Sequence, residues 1–81
     1  MSGYRATFSD GFTTSIKSSK RAYTHAWLVK GTAVAHDTKL EYETACKGFS
    51  SSKEQAHKNA MTESRYYTRR DLVEVVPVEV V

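Results

Sequence analysis

Phe8-Ser9-Asp10-Gly11-Phe12 constrains this chain more than any other stretch. It joins two runs of alternating apolar residues, Tyr4-Arg5-Ala6-Thr7-Phe8 and Phe12-Thr13-Thr14-Ser15-Ile16-Lys17, and turn residues between such runs specify a β-hairpin. Two registers compete. A two-residue Asp10-Gly11 turn opposes Phe8 with Thr13 and leaves neither face apolar. A three-residue Ser9-Asp10-Gly11 loop, with Gly11 in the left-handed region as a bulge, gathers Tyr4, Ala6, Phe8, Phe12, Thr14 and Ile16 on one face. The second register is the one expected. It gives a sheet that opens at the N-terminus and needs a cover.

After the polar break Ser18-Ser19-Lys20, the segment from Ala22 to Lys30 is rich in aromatic and β-branched residues with a period of two, and reads as a central strand. Tyr23, His25, Trp27 and Val29 share one face, and Ala22, Thr24, Ala26 and Leu28 the other, so both faces can be covered. Gly31 is expected to stop this strand. Residues 32 to 38 then form a connection with weak strand character that turns at His36-Asp37-Thr38. In the next strand, Leu40 to Lys47, alternation points Leu40, Tyr42, Thr44 and Cys46 inward and Glu41, Glu43 and Lys47 to water.

Gly48-Phe49 hands over to a helix start. Ser51 with Glu54, or Ser52 with Gln55, has the spacing of a capping box, and the helix is expected from about Lys53 to Arg69. At about 100° per residue Ala56, Ala60 and Tyr67 fall on one line, flanked by Ser64 and Met61. Small residues on that line let the helix axis lie close to the sheet, with Tyr67 as the large plug. Lys58, Arg65 and Arg69 make an outward basic ridge, Glu54 and Lys58 an i,i+4 pair, and Arg69 and Arg70 suit the carbonyl end of the helix. The valine-rich tail from Leu72 to Val81 is a strand by composition. Pro77 assigns it to an edge, where it pairs within the fold, with a second copy, or with a partner as an added strand.

The fold class expected is therefore α+β: an antiparallel sheet of four to five strands, in the order β-β-β-β-α-β, with one α-helix packed on one face as two layers. With 81 residues, residues 1–81 make a single domain, whose one core buries about 60% of the unfolded surface. Forty per cent apolar and 26% charged residues place it with ordinary globular chains. No run is apolar enough to span a bilayer, and the N-terminal residues lack the apolar stretch of a secretory signal, so a cytoplasmic location and no membrane partner are expected. The lone Cys46 agrees with a reducing compartment.

The net charge of +3 is zoned: +4 over residues 1–36, −2 over 37–46, +4 over 47–70 and −3 from Asp71 onward. Zoning steers an acidic partner, and equally serves solubility. Motifs for chemistry are few. His25, His36 and His57 with one cysteine match no zinc spacing, four glycines mark turns rather than a phosphate loop, and Glu41 and Glu43 on one strand read as a solvated face. Cys46 with an imidazole would make a thiolate nucleophile, but a small core residue is the reading preferred. The expectation is a non-enzyme with no catalytic residue, no metal and no cofactor.

Two resemblances add to this. Gly48-Phe49-Ser50-Ser51-Ser52-Lys53-Glu54-Gln55-Ala56-His57-Lys58-Asn59-Ala60 is similar to the final strand-to-helix junction of double-stranded RNA-binding domains, with Ser52, Lys53, Ala56 and Ala60 in matching places. Glu54 and His57 stand where that family has further lysines, and the family's first helix is replaced by a hairpin. This resemblance implies lysines that clamp phosphates across a groove. Phe8-Ser9-Asp10-Gly11, Tyr23-Thr24-His25-Ala26-Trp27 and Gly48-Phe49-Ser50 together look like small function-unassigned proteins of bacteriophage genomes. The second resemblance implies an accessory phage product in a host bacterial cytoplasm that acts by binding a host component, and it brings no site residues with it.

Three functions follow, in order of preference. The first is a stoichiometric binding module on a host protein, using Tyr23, Trp27, Val78 and Val80. The second is a nucleic-acid-binding module that uses Lys17, Lys20 and Arg21 in the turn with Lys53, Lys58, Arg65 and Arg69 on the helix, with Phe49, Tyr66 and Tyr23 as candidate base-stacking rings. The third is a self-associating structural protein, a homodimer through the C-terminal strand.

Overall fold

The computed structural model describes residues 2–81 and contains, in chain order, β1 (Ser2–Thr7), β2 (Thr13–Ser18), β3 (His25–Val34), β4 (Glu41–Ser50), α1 (Lys53–Ser64), β5 (Arg69–Pro77) and β6 (Glu79–Val80). The strands form two antiparallel three-stranded sheets, β2-β1-β6 and β4-β3-β5. The α+β class and the chain order stand, with the tail divided into two strands. The difference is that the strands are shared between two sheets instead of lying in one sheet of four or five, which adds a layer. The sheet β4-β3-β5 is the middle layer. On one face Trp27 and Val29 meet Ala56, Ala60 and Tyr67. On the other Ala26 and Leu28 meet Ala6 and Phe8 of the hairpin sheet.

The hairpin takes the three-residue loop. Tyr4 pairs with Ile16 and Thr7 with Thr13, Phe8 N donates to Phe12 O and Gly11 N to Phe8 O, each at 2.9 Å, and Gly11 has φ +93°. Asp10 Oδ1 accepts from Phe12 N at 2.9 Å, which ties the turn to its own backbone. The shared face closes as the pattern requires, since Tyr4, Ala6, Phe8 and Thr14 are buried and only Ile16 reaches the rim.

β3 alternates as expected but has different limits. It begins at His25 and runs through Gly31 to Val34. Gly31 does not stop the strand. It sits where the pairing with β5 shifts register, and a β-carbon there would collide with the Arg69 carbonyl and the Tyr67 ring. The glycine is there for close approach. Leu28 and Val29 are fully buried on opposite faces, each contributing roughly 1.5–3 kcal/mol. The chain turns where Lys39 N donates to Ala35 O and Ala35 N to Leu40 O.

β4 is longer than expected and absorbs Gly48, Phe49 and Ser50. Its inward row is only partly covered: Thr44 and Cys46 are half-buried, whereas Leu40 is 67% and Tyr42 50% exposed. The cause lies in α1. Ser52 caps it, its Oγ accepting from Gln55 N at 3.1 Å, while the Gln55 side chain turns forward to Asn59 instead of completing a capping box. Ala56, Ala60 and Ser64 form the buried stripe. The helix ends at Ser64 rather than Arg69, in a tightened turn in which Arg65 N, Tyr66 N and Tyr67 N donate to the carbonyls of Thr62, Glu63 and Ser64. Too short to roof the far end of β4, it still delivers Tyr67 to the core. Arg70 reaches back from β5 to donate from Nε to Ser64 O at 2.9 Å, serving the carbonyl end as the sequence suggested for this arginine.

The tail pairs within the chain. β5 lies at an edge of the middle sheet, with Pro77 opposite His25. After Val78 the chain crosses to the other sheet, where Tyr4 pairs with Val80 and Arg5 with Glu79. Pro77 therefore marks the point at which one strand leaves one sheet for the next.

Candidate functional site

The residues expected to bind a protein are mostly closed off. Trp27 is 8% exposed under the helix and Val78 packs against the core of the hairpin face. The half-buried Tyr23 ring lies 5.5 Å edge-on from Tyr4 and 5.7 Å from Phe49. Val80 exposes its side chain, but its backbone is in a ladder with Tyr4. Strand three and the tail strand are spent on the fold.

The basic residues are exposed and fall in two groups. Lys53 opens α1 and Arg65 caps its other end, about 18 Å apart at 1.5 Å per residue, with Lys58 between them. Arg69 leaves the expected ridge. It belongs to β5 and pairs through Nε with Asp71 Oδ1 at 3.1 Å. Lys17, Lys20 and Arg21 belong to the end of β2 and the loop after it, where the Arg21 carbonyl accepts from the Tyr4 hydroxyl.

Cys46 is a half-buried thiol whose pKa is pushed up, first by burial and then by the neighbouring Glu63 carboxylate. Burial, followed by Glu63, also raises Tyr67. A thiol held protonated beside a carboxylate is the opposite of an activated nucleophile. His25 Nδ1 lies 2.9 Å from Thr24 Oγ1. Among the described residues no group of three or more His, Cys, Asp or Glu is placed to hold a metal ion, and no helix is long and apolar enough to cross a membrane. Asp10 is the other perturbed group: the Lys30 ammonium, then the Phe12 amide, hold it below the usual aspartate range.

What the fold leaves open lies at the head of the β3–β4 hairpin. A groove of about 290 Å³ runs between the end of β3 (Val34, Ala35, His36), Tyr42 of β4, and Glu63 and Tyr66 at the end of α1. Tyr66 is 72% exposed, Tyr42 50%, and Leu40 in the same hairpin 67%. Single exposed apolar side chains are ordinary; two exposed aromatic rings at one hollow, with Leu40 exposed in the same hairpin, are less so. Alternation pointed Leu40 and Tyr42 inward and left Tyr66 open between core and surface. A signal for Tyr66 was present in the Tyr66-Tyr67 pair, because neighbours about 100° apart on a helix cannot both plug one narrow stripe. The larger hollow, about 420 Å³ and lined by Lys30, Glu43 and Asp71 among others, is open and carries both signs of charge.

Fold and surface together define a small α+β domain of three layers with an aromatic groove at one end. No family profile matches the chain, and neither a curated protein nor a solved structure resembles it at a significant level.

Proposed function

We propose that this chain is a small non-enzymatic binding module that acts stoichiometrically on a protein, through the groove lined by Tyr42 and Tyr66. The observation that supports this is the exposure of Tyr42 and Tyr66 at one hollow, with Leu40 exposed in the same hairpin, in a fold whose remaining aromatics are largely packed. Aromatic rings carry much area at little entropic cost and dominate protein interfaces. With His36 and Glu63 at the walls, the groove offers polar contacts around an apolar centre, the anatomy of a protein-binding patch. The resemblance to phage proteins favours a host protein of a bacterial cytoplasm as the partner. The test is capture from a bacterial lysate with nuclease present and at high salt, comparing the natural chain with Tyr66→Ala and Tyr42→Ala. A protein held by the natural chain and lost by both folded variants supports the reading, and equal capture by all three refutes it.

One observation favours nucleic acid as a second reading. Among the described residues Lys17, Lys20, Arg21, Lys53, Lys58 and Arg65 make no ion pair, so their charge is free for phosphate. That reading requires nucleic-acid affinity that falls steeply with salt and weakens in Lys53→Ala.

A further inference from the structure

We propose that the chain forms a two-fold dimer in which β4 pairs antiparallel with β4 of a second copy, in the register that sets Ala45 opposite Ala45. This concerns the strand edge rather than the groove, and stands whether or not the groove binds a partner.

The free edge can be read from the hydrogen bonds. Thr32 O accepts from Thr68 N, so the even-numbered residues of β3 turn their backbone groups toward β5, while Thr24, just before the strand, divides its groups between Ser50 O and Val78 N. The odd-numbered ones therefore face β4, as the bond from Ala35 N to Leu40 O continues. With β3 and β4 in the register that pairs Val29 with Cys46, the even-numbered residues of β4 are committed to β3. Residues 41, 43, 45, 47 and 49 then direct their N–H and C=O groups outward. β4 is an edge strand of ten residues containing no proline. The opposite edge, β5, differs: Pro77 ends it, and the chain passes from it into the other sheet. Long unprotected edges pair with other chains.

The side chains select the occupant and the register. Folding β4 on Ala45 matches outward-facing residues with outward-facing residues over its whole central length. Glu43 then lies opposite Lys47 of the second copy, and symmetry repeats the pair, so one register yields two cross-strand ion pairs on the hairpin side. On the helix side Thr44 lies opposite Cys46 and Tyr42 opposite Gly48, where a ring meets a residue without a side chain. A slip of two residues one way leaves Lys47 without a carboxylate. A slip the other way sets Lys47 opposite Glu41 but leaves residues 48–50 with no strand partner, so the ladder is two residues shorter. The strand is complementary to itself in charge, and a second copy is the partner that fits it.

The test is sedimentation of the full chain with charge variants at exposed positions. Lys47→Glu should weaken the dimer by about tenfold or more, and Glu43→Lys combined with Lys47→Glu should restore it. Register is read by oxidative cross-linking. Thr44→Cys faces Cys46 of the second copy at a non-hydrogen-bonded position, about 4.5 Å between α-carbons, within disulfide reach. That variant should cross-link, while the natural chain and Thr44→Cys with Cys46→Ser should not. A natural chain that stays monomeric at high concentration, a Lys47→Glu dimer as tight as the natural one, or cross-linking through Cys46 alone would each overturn the proposal.

Discussion

The two faces of the middle sheet solve the same packing problem in opposite ways. On the helix side the sheet supplies the bulk, Trp27 and Val29, and the cover supplies alanines. On the hairpin side the sheet offers Ala26 and Leu28, with Phe49 at its β4 edge, and the hairpin brings Phe8 and Phe12. Each interface sets small against large, which lets both covers approach closely at interior packing density. The covers differ in how they are held. The hairpin is fixed at one end by β6 and at its tip by the Asp10–Lys30 ion pair and a 2.8 Å bond from Ser9 N to Glu74. The helix rests on close contact and its end contacts, and it stops short. The open apolar surface at the β3–β4 head consequently lies on the helix side.

The comparison is broken hardest at Trp27. Trp27→Ala empties the helix face, with an expected cost of about 3–5 kcal/mol read from the denaturation midpoint. Loosening of the hairpin amides before those of the helix in this variant would contradict the separation of the two faces. Ala60→Leu adds volume where the helix has none to give and is expected to cost about 1–3 kcal/mol; a neutral result would show that the helix does not sit close. Ser52→Ala removes the cap and should cost about 1 kcal/mol, with faster exchange at the Gln55 amide as its local signature.

The smallest effect sharpens the other face. Asp10 is held below the ordinary aspartate range, so its charged form is favoured in the folded chain. Its contribution is present above the unfolded value of about 3.9 and is lost as pH falls through the lower folded value. Titration below about pH 4 should therefore speed exchange at the Gly11 amide, and Asp10→Asn should abolish that pH dependence. Unchanged exchange across this range would mean that the tip is held by packing alone.

Local chemistry was legible in the sequence where it decided the outcome. Gly11 between Phe8 and Phe12 specified the hairpin loop and its register, alternation from Ala26 to Val29 specified both faces of β3, and Ser52 specified the helix start. The end of the helix was not legible, because no glycine or proline stops it after Ser64. It ends where Thr68 N finds the Thr32 carbonyl, far away in sequence, and Arg70 reaches back to the carbonyl of Ser64 from the strand that this contact positions. The candidate groove was missed for the same reason. Alternation shows which side of β4 Leu40 and Tyr42 occupy, but whether anything lies above them depends on where a later helix ends. Nor does sequence period alone distinguish one sheet from two when a strand changes sheets at Pro77.

The pairing of Tyr4 with Val80 has a kinetic corollary. The first strand of the domain finds its outer neighbour only among the last residues described, so completing the hairpin layer means closing a loop over nearly the whole described chain. A domain stitched together by contacts this remote in sequence is expected to fold slowly for its size, and to expose the apolar underside of its hairpin while it waits.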